Sequence, residues 1–331
     1  MELRVQPTMA KRVMSAICLA SIWILVACGA RLPSGCPPEC LGVPLFKRTL
    51  SGMNFEEANL RNAMLSQSKL DGANLRNADL SGAKLVSANL ANADLRGARL
   101  LGANLQYANL GSVLLDDADL SGADLTGATL TGVDLRRVKL TAAVLVEAVL
   151  IGCDLRGADL RGISLGGADL RGADLRWAYM KGANLAPPDN REGGANLRGA
   201  NLTGTILTGA NLDGVNLRGA ILDYAELSGA GLEGEQLRGA IFANANLSQA
   251  NLSNALLDGA NLEGSNLIGA DLLGASLKGS DLLASDLRQA QLILKEGDQV
   301  FTVELAGAKV NSDTSWPSEF APPNTTIFVD Q

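Results

Sequence analysis

An all-β solenoid is the fold class this sequence predicts, and three observations predict it. Leucine returns every fifth residue: from Phe55 to Leu185 these positions are Leu except Phe55 and Met180, and from Leu197 to Leu292 they are Leu except Phe242. The residue two before each Leu is nearly always small, as at Ala58, Ala73, Ala78, Ala245 and Ala260. Asn or Asp usually precedes the Leu and Gly often follows two after it, as in Ala123-Asp124-Leu125-Thr126-Gly127 and Ala260-Asn261-Leu262-Glu263-Gly264. A five-residue spacing fits neither a helix at about 3.6 nor a strand at about 2. It marks a structural repeat in which two of every five residues point inward.

This Ala-(Asp/Asn)-Leu-x-Gly pattern, running over about residues 50 to 292, resembles the pentapeptide-repeat family. The resemblance implies a right-handed quadrilateral β-helix, with four pentapeptides per coil, the Leu and the small residue inside, and the other three residues outside. Physical chemistry supplies a reason for stacking. One coil buries four Leu at roughly 1.5 to 3 kcal/mol each, against roughly 1 to 2 kcal/mol per residue of backbone ordering, so a coil cannot stand alone. Stacked about 4.8 Å apart, coils join through backbone hydrogen bonds and continuous Leu and Ala ladders. The 27 and 20 repeats on either side of residue 186 then make roughly twelve coils, a rod on the order of 55 to 60 Å long.

Taken in order, residues 1 to 27 read as a signal peptide. Arg4, Lys11 and Arg12 form a basic start, Val13 to Val26 an apolar stretch short for a bilayer span, and Leu25-Val26-Ala27-Cys28 closes it. This resembles the lipobox of bacterial lipoproteins. The resemblance implies cleavage before Cys28, a diacylglycerol thioether on its sulfur and acylation of the new amino group, which together make a stable anchor. Gly29, rather than Asp, follows the cysteine, which leaves the destination membrane open. Residues 28 to 44, with Pro33, Pro37, Pro38 and Pro44, read as a semi-rigid tether. Cys36 and Cys40 lie in it, and an exported compartment permits a disulfide between them without requiring one. Cys153 falls in an inward slot as a small core residue.

Residues 45 to 292 form the expected β-helix, interrupted once by Ala186-Pro187-Pro188-Asp189-Asn190-Arg191-Glu192-Gly193-Gly194, whose prolines and glycines mark an exposed loop. Trp177 and Tyr179 sit at outward positions just before it. Together with Asp189 and Arg191 they form a candidate interaction loop, the alternative being a tolerated insertion with the aromatics packed beneath it. Glu235 occupies an inward small-residue slot, where a carboxylate needs a partner or a local bulge. Residues 293 to 331, with Trp316, Pro317 and Phe320, read as a segment that caps the open end.

Charge excludes some functions. The formal net charge is −7, and about −9 once residues 1 to 27 are set aside, so bulk charge argues against a nucleic-acid partner. The chain has no His, which removes the usual neutral-pH base and most metal sites, and it carries no phosphate loop. We therefore expect no enzyme activity, no metal and no cofactor. The charges are nevertheless ordered: the residue after Leu reads Arg76, Arg96, Asp116, Arg136, Arg156, Arg176, and later Arg198, Arg218, Arg238, Asp258, Lys278. The two series fall on one face if residues 186 to 194 add two residues to a coil. In one reading Asp94, Asp134, Asp154 and Asp174 neutralise the Arg column, each pair contributing little. In the other, Arg198, Arg218, Arg238 and Lys278, which lack acids two residues before them, hold an anionic partner: a lipid headgroup, a cell-wall polymer or an acidic protein.

These features lead us to expect a lipid-anchored, non-enzymatic scaffold or binding surface of the bacterial cell envelope. It would be tied to the membrane through acylated Cys28 and would face a protein or an anionic envelope component. The alternative is a soluble DNA-mimicking inhibitor of a topoisomerase, the best-known activity of the resembled family. Export and the Arg series both argue against it.

Overall fold

A computed structural model describes residue 42 and residues 44–188, 193–296 and 299–329. Cys28, Cys36, Cys40, Asp189 and Arg191 lie outside the described residues.

Each repeat becomes one side of a coil. The three residues ending at Leu are extended, and the next two turn the corner. At Leu60 the carbonyl accepts the amide of Ala63 at 3.1 Å, and Asn62 between them has φ 55°. That is a type II turn, whose third residue must be left-handed, which accounts for Gly in that slot. Asn, Ser and Gln also fill it, and so do Tyr107, Trp177 and Tyr224. The side then pairs with the coil above. Asn59 bridges Asp79 in parallel register, Leu60 N donates to Asp79 O at 2.7 Å, and Asp79 N returns to Ala58 O at 2.9 Å. The twenty-residue interval recurs on all four sides, as in Asn54↔Asn74, Asn59↔Asp79, Met64↔Lys84 and Lys69↔Asn89. The Leu and Ala columns are buried almost without exposure from Leu45 to Leu292. Several polar groups in the small slot find carbonyl partners: Ser68, Ser280 and Ser285 donate to the carbonyl three residues back, and Cys153 Sγ meets Leu130 O of the preceding coil at 3.0 Å, while Ser265 Oγ is buried without a partner among the described residues. Burial raises the pKa of that thiol to about 11.

The ladder is not uniform. Among the described residues the Leu114–Asp134 and Lys139–Asp159 bridges are missing, and the amides of Leu115 and Leu140 make no hydrogen bond. Val113 lies beneath Val133 here, and Val138 lies beneath Ala158. Each defect has a Val in the slot sized for Ala, yet a branched residue there does not by itself break the ladder: Ile163, between Ala143 and Ala183, keeps the Val144–Ser164 and Ser164–Asn184 bridges.

The interruption adds seven residues, not two. Asp169 bridges Asn196, Asp174 bridges Asn201 and Tyr179 bridges Ile206, after which the interval returns to twenty. Stacking also extends past Leu292. A hairpin of β1 (Ile293–Glu296) and β2 (Gln299–Thr302) comes first, and then Ser276 bridges Glu304, Asp281 bridges Lys309 and Asp286 bridges Ser315. Leu305, Ala308 and Val310 continue the core, and β3 (Lys309–Val310) pairs in parallel with β4 (Ile327–Phe328). Trp316 and Phe320, with ring centroids 5.2 Å apart, pack against the core.

Candidate functional site

The Asp-Leu-Arg repeats each build a closed unit. The Asp94 carboxylate accepts the backbone N–H of Arg96 at 3.2 Å, and the guanidinium folds back on both its oxygens at 2.9 and 2.6 Å. The same arrangement recurs at Asp134–Arg136, Asp154–Arg156, Asp159–Arg161, Asp169–Arg171, Asp174–Arg176 and Asp286–Arg288. Successive units cross-link: Arg136 also reaches Asp154 at 3.2 Å and Arg156 reaches Asp174 at 3.6 Å. These Arg hydrogen bonds hold the carboxyl groups of Asp94, Asp134, Asp154 and Asp174 below their usual range. The first-half column is thus a ladder of neutralised pairs.

The seven-residue insertion changes where the second series lies. Arg198 stacks above Arg171, as the hydrogen bond from Gly172 N to Arg198 O at 3.2 Å requires. Thr203 continues above Arg176, since Trp177 N donates to Thr203 O at 2.9 Å. The two Arg series therefore occupy neighbouring corners, not one face. The expectation of a shared stripe fails because the insertion is one whole pentapeptide longer than the count of fives alone reveals.

The second series is also less uniform than its spacing implies. Arg238 meets Asp258 of the next coil at 3.0 Å, and Lys278 meets Glu304 at 2.6 Å, so neither lacks an acid. Asp258 was in plain view twenty residues on, whereas Glu304 enters only because the coil resumes after the hairpin. Arg198 and Arg218 differ. Asn196 and Asn216 replace the Asp of the closed unit, and their side-chain oxygens still accept the Arg backbone amides at 3.3 and 3.1 Å. The turn is kept and the charge is gone. Among the described residues neither guanidinium forms an ion pair, and both Arg are exposed.

The aromatics lie on the next corner along. Trp177, Gly204 and Tyr224 share one corner column, and the Trp177 ring covers Gly204 so closely that a Cβ there would clash with its Cε3. Trp177 and Tyr224 are each 60% exposed, and Tyr179, on the adjoining side above which Ile206 stacks, is 49% exposed. Between the Arg corner and the aromatic corner run Asn201, Ile221 and Ile241, stacked and half-buried. Asp223 adjoins Tyr224. Its Oδ1 is buried without a partner among the described residues, and burial raises its pKa.

The loop does not join this group. It closes the corner between Leu185 and Ala195, diagonally across the coil from Trp177, and its described ends seat on the rod. A Cβ on Gly166 would clash with Ala186 O, and one on Gly214 would meet Pro187 Cγ at 3.2 Å. Trp177 and Tyr179 thus lie apart from the corner that carries the interruption, and the aromatics are not packed beneath it. Glu235 lies beside the loop's corner, buried, accepting a hydrogen bond from Gly214 N. Burial and nearby Asp213 push its carboxyl group up to about 7, against the opposing effect of the Gly214 bond. Among the described residues no group of Cys, Asp or Glu is placed to hold a metal ion.

The family model for pentapeptide repeats matches in eight copies, covering residues 48–185 and 195–292. The chain belongs to the pentapeptide-repeat family. Solved structures similar to this pentapeptide-repeat protein include HetL of the cyanobacterium Nostoc sp. strain PCC 7120, involved in heterocyst differentiation regulation. HetL is 33% identical over 73% of this chain and 91% of its own, with a TM-score of 0.20. QnrB1, a plasmid-mediated fluoroquinolone resistance protein, is 18% identical over 64% and 91%, with a TM-score of 0.27. Rfr23 of the cyanobacterium Cyanothece 51142 is 25% identical over 49% and 90%, with a TM-score of 0.26. No curated protein gives a significant match. Members of this family are generally structural or binding proteins, and the right-handed quadrilateral β-helix is their fold.

Proposed function

We propose that this pentapeptide-repeat protein is a lipid-anchored, non-enzymatic binding scaffold of the bacterial cell envelope, held to its membrane through Cys28. The observation that carries the anchor is the run of basic start, short apolar stretch and Leu25-Val26-Ala27-Cys28. The binding role is supported by the construction of the rod. Its Leu and Ala columns fill the interior, so ligand contact falls to the outer columns, where the unpaired Arg198 and Arg218 and the exposed Trp177 and Tyr224 stand on two neighbouring corners. A soluble DNA mimic would require an acidic surface. Asp-Leu-Arg units neutralise Asp94, Asp134, Asp154, Asp159, Asp169, Asp174 and Asp286, and Arg198 and Arg218 add free positive charge.

The test is direct. Cells labelled with an alkyne fatty acid should yield a labelled protein in the membrane fraction, and mass analysis should find the mature chain beginning at acylated Cys28. Cys28→Ser should lose the label and leave the precursor uncut at that site. Unmodified Cys28 in the mature wild-type protein, or wild-type protein found in the cytosol, would reject the anchor.

A further inference from the structure

Two successive coils carry the same pair of features on neighbouring corners. On one level the Trp177 ring lies over Gly204, with Arg198 one side away. On the next, Tyr224 stands one side away from Arg218. The corners are separated by one three-residue side, a width of about 10 Å, and levels repeat at about 4.8 Å. Asn201 lies between the corners on the first level and Ile221 on the second. Many other exposed Arg, such as Arg136, Arg156, Arg171 and Arg238, are tied to Asp in the same coil or the next, whereas Arg198 and Arg218 are free beside exposed flat aromatic surface.

We propose that this two-corner surface, Trp177 and Tyr224 with Arg198 and Arg218, binds a linear anionic polysaccharide of the polyuronate class. The chemistry matches in both parts. The C–H faces of a pyranose ring are apolar and flat, and they stack on exposed indole and phenol rings, which offer large rigid contact area. A uronate carries one carboxylate per sugar, and a guanidinium recognises carboxylate through two parallel hydrogen bonds. The surface repeats by translation along a straight rod, as a polymer's sugars repeat along its chain. An acidic protein segment fits less well. Strong protein contacts centre on desolvated pockets, whereas these aromatics stand on convex corners, with Trp177 backed by the glycine beneath its ring. The inference rests on the reading of the rod as a binding surface and supplies its ligand class. Membrane anchoring plays no part in it.

The experiment titrates the full chain in detergent with oligogalacturonate, with neutral cello-oligosaccharide and with polyglutamate, followed by calorimetry. Trp177→Gly and Tyr224→Gly install the residue that the lattice prefers at this left-handed corner, so the double variant keeps its circular dichroism and melting temperature. Oligogalacturonate should bind the wild type and weaken as salt rises. The aromatic double variant and Arg198→Gln with Arg218→Gln should each lose at least about tenfold in affinity. Tyr107→Gly, which removes an equally exposed aromatic resting on Gly127 at a different corner, should bind as wild type. Absence of oligogalacturonate binding would overturn the proposal. So would tighter binding of the neutral oligosaccharide, binding indifferent to the aromatic pair, or polyglutamate binding of equal strength. Label at Cys28 is read separately, so loss of the anchor and loss of this surface are distinguishable.

Discussion

A carboxyl group in a slot built for alanine has few partners, and Glu235 has one backbone amide, that of Gly214. Its pKa rises from 4.5 to about 7, a difference of about 3 kcal/mol between protonation states. The sign follows from proton binding. Below about pH 4.5 both folded and unfolded chains carry the proton, and nothing is lost. Between there and about pH 7 the folded chain holds a proton that the unfolded chain has released, so stability falls as pH rises, and above about 7 the full cost is present. Thermal melts should therefore show a higher melting temperature at pH 5 than at pH 8, with the difference greatly reduced in Glu235→Gln. A wild-type melting temperature that rises over this range, or a Gln variant with the same slope, would contradict the assignment. The sequence displayed the anomaly, a Glu two before Leu237, because the lattice makes any departure visible. It could not display the partner, since Gly214 reaches Glu235 from the preceding coil.

At the scale of the coil, two rungs lack the pairing that the others keep. Val113 beneath Val133, and Val138 beneath Ala158, coincide with the missing bridges, while Ala-on-Ala stacks elsewhere keep bonds of 2.7 to 2.9 Å, as at Leu60 and Asp79. Hydrogen exchange should find the amides of Leu115 and Leu140 exchanging faster than those of Leu60 and Leu80, because local opening begins where backbone hydrogen bonds are absent. Equal protection at all four would contradict the missing hydrogen bonds at Leu115 and Leu140. The sides and corners were legible in the sequence because each side repeats the same requirement: small residue in, Leu in, left-handed residue at the corner. The pairing defect was not read, although the Val residues beside it were visible. Pairing depends on which residue lies twenty positions away.

For the whole molecule, the insertion decides what the surface presents. Counting fives places Leu197 two positions out of step, but any multiple of five can be added without changing that remainder. Only pairing between coils distinguishes two extra residues from seven, and the pairing of Asp169 with Asn196 gives seven. The extra five turn the second Arg series by one corner. They set Arg198 above Arg171 and leave the aromatic column of Trp177, Gly204 and Tyr224 beside it. The continuation past Leu292 was hidden for a related reason, because the β1–β2 hairpin breaks the period before the last rungs resume.

That register is the central claim, and paired cysteines measure it most directly. Residues on adjacent rungs of one column lie about 4.8 Å apart, within the range a disulfide spans, while neighbouring corners lie beyond about 7 Å. In a chain whose other cysteines are replaced by Ser, Arg171→Cys with Arg198→Cys should oxidise to a disulfide detected in the linked tryptic peptides. Arg176→Cys with Arg198→Cys should stay reduced under the same conditions. A disulfide in the second pair and none in the first would place both Arg series on one face and contradict the register.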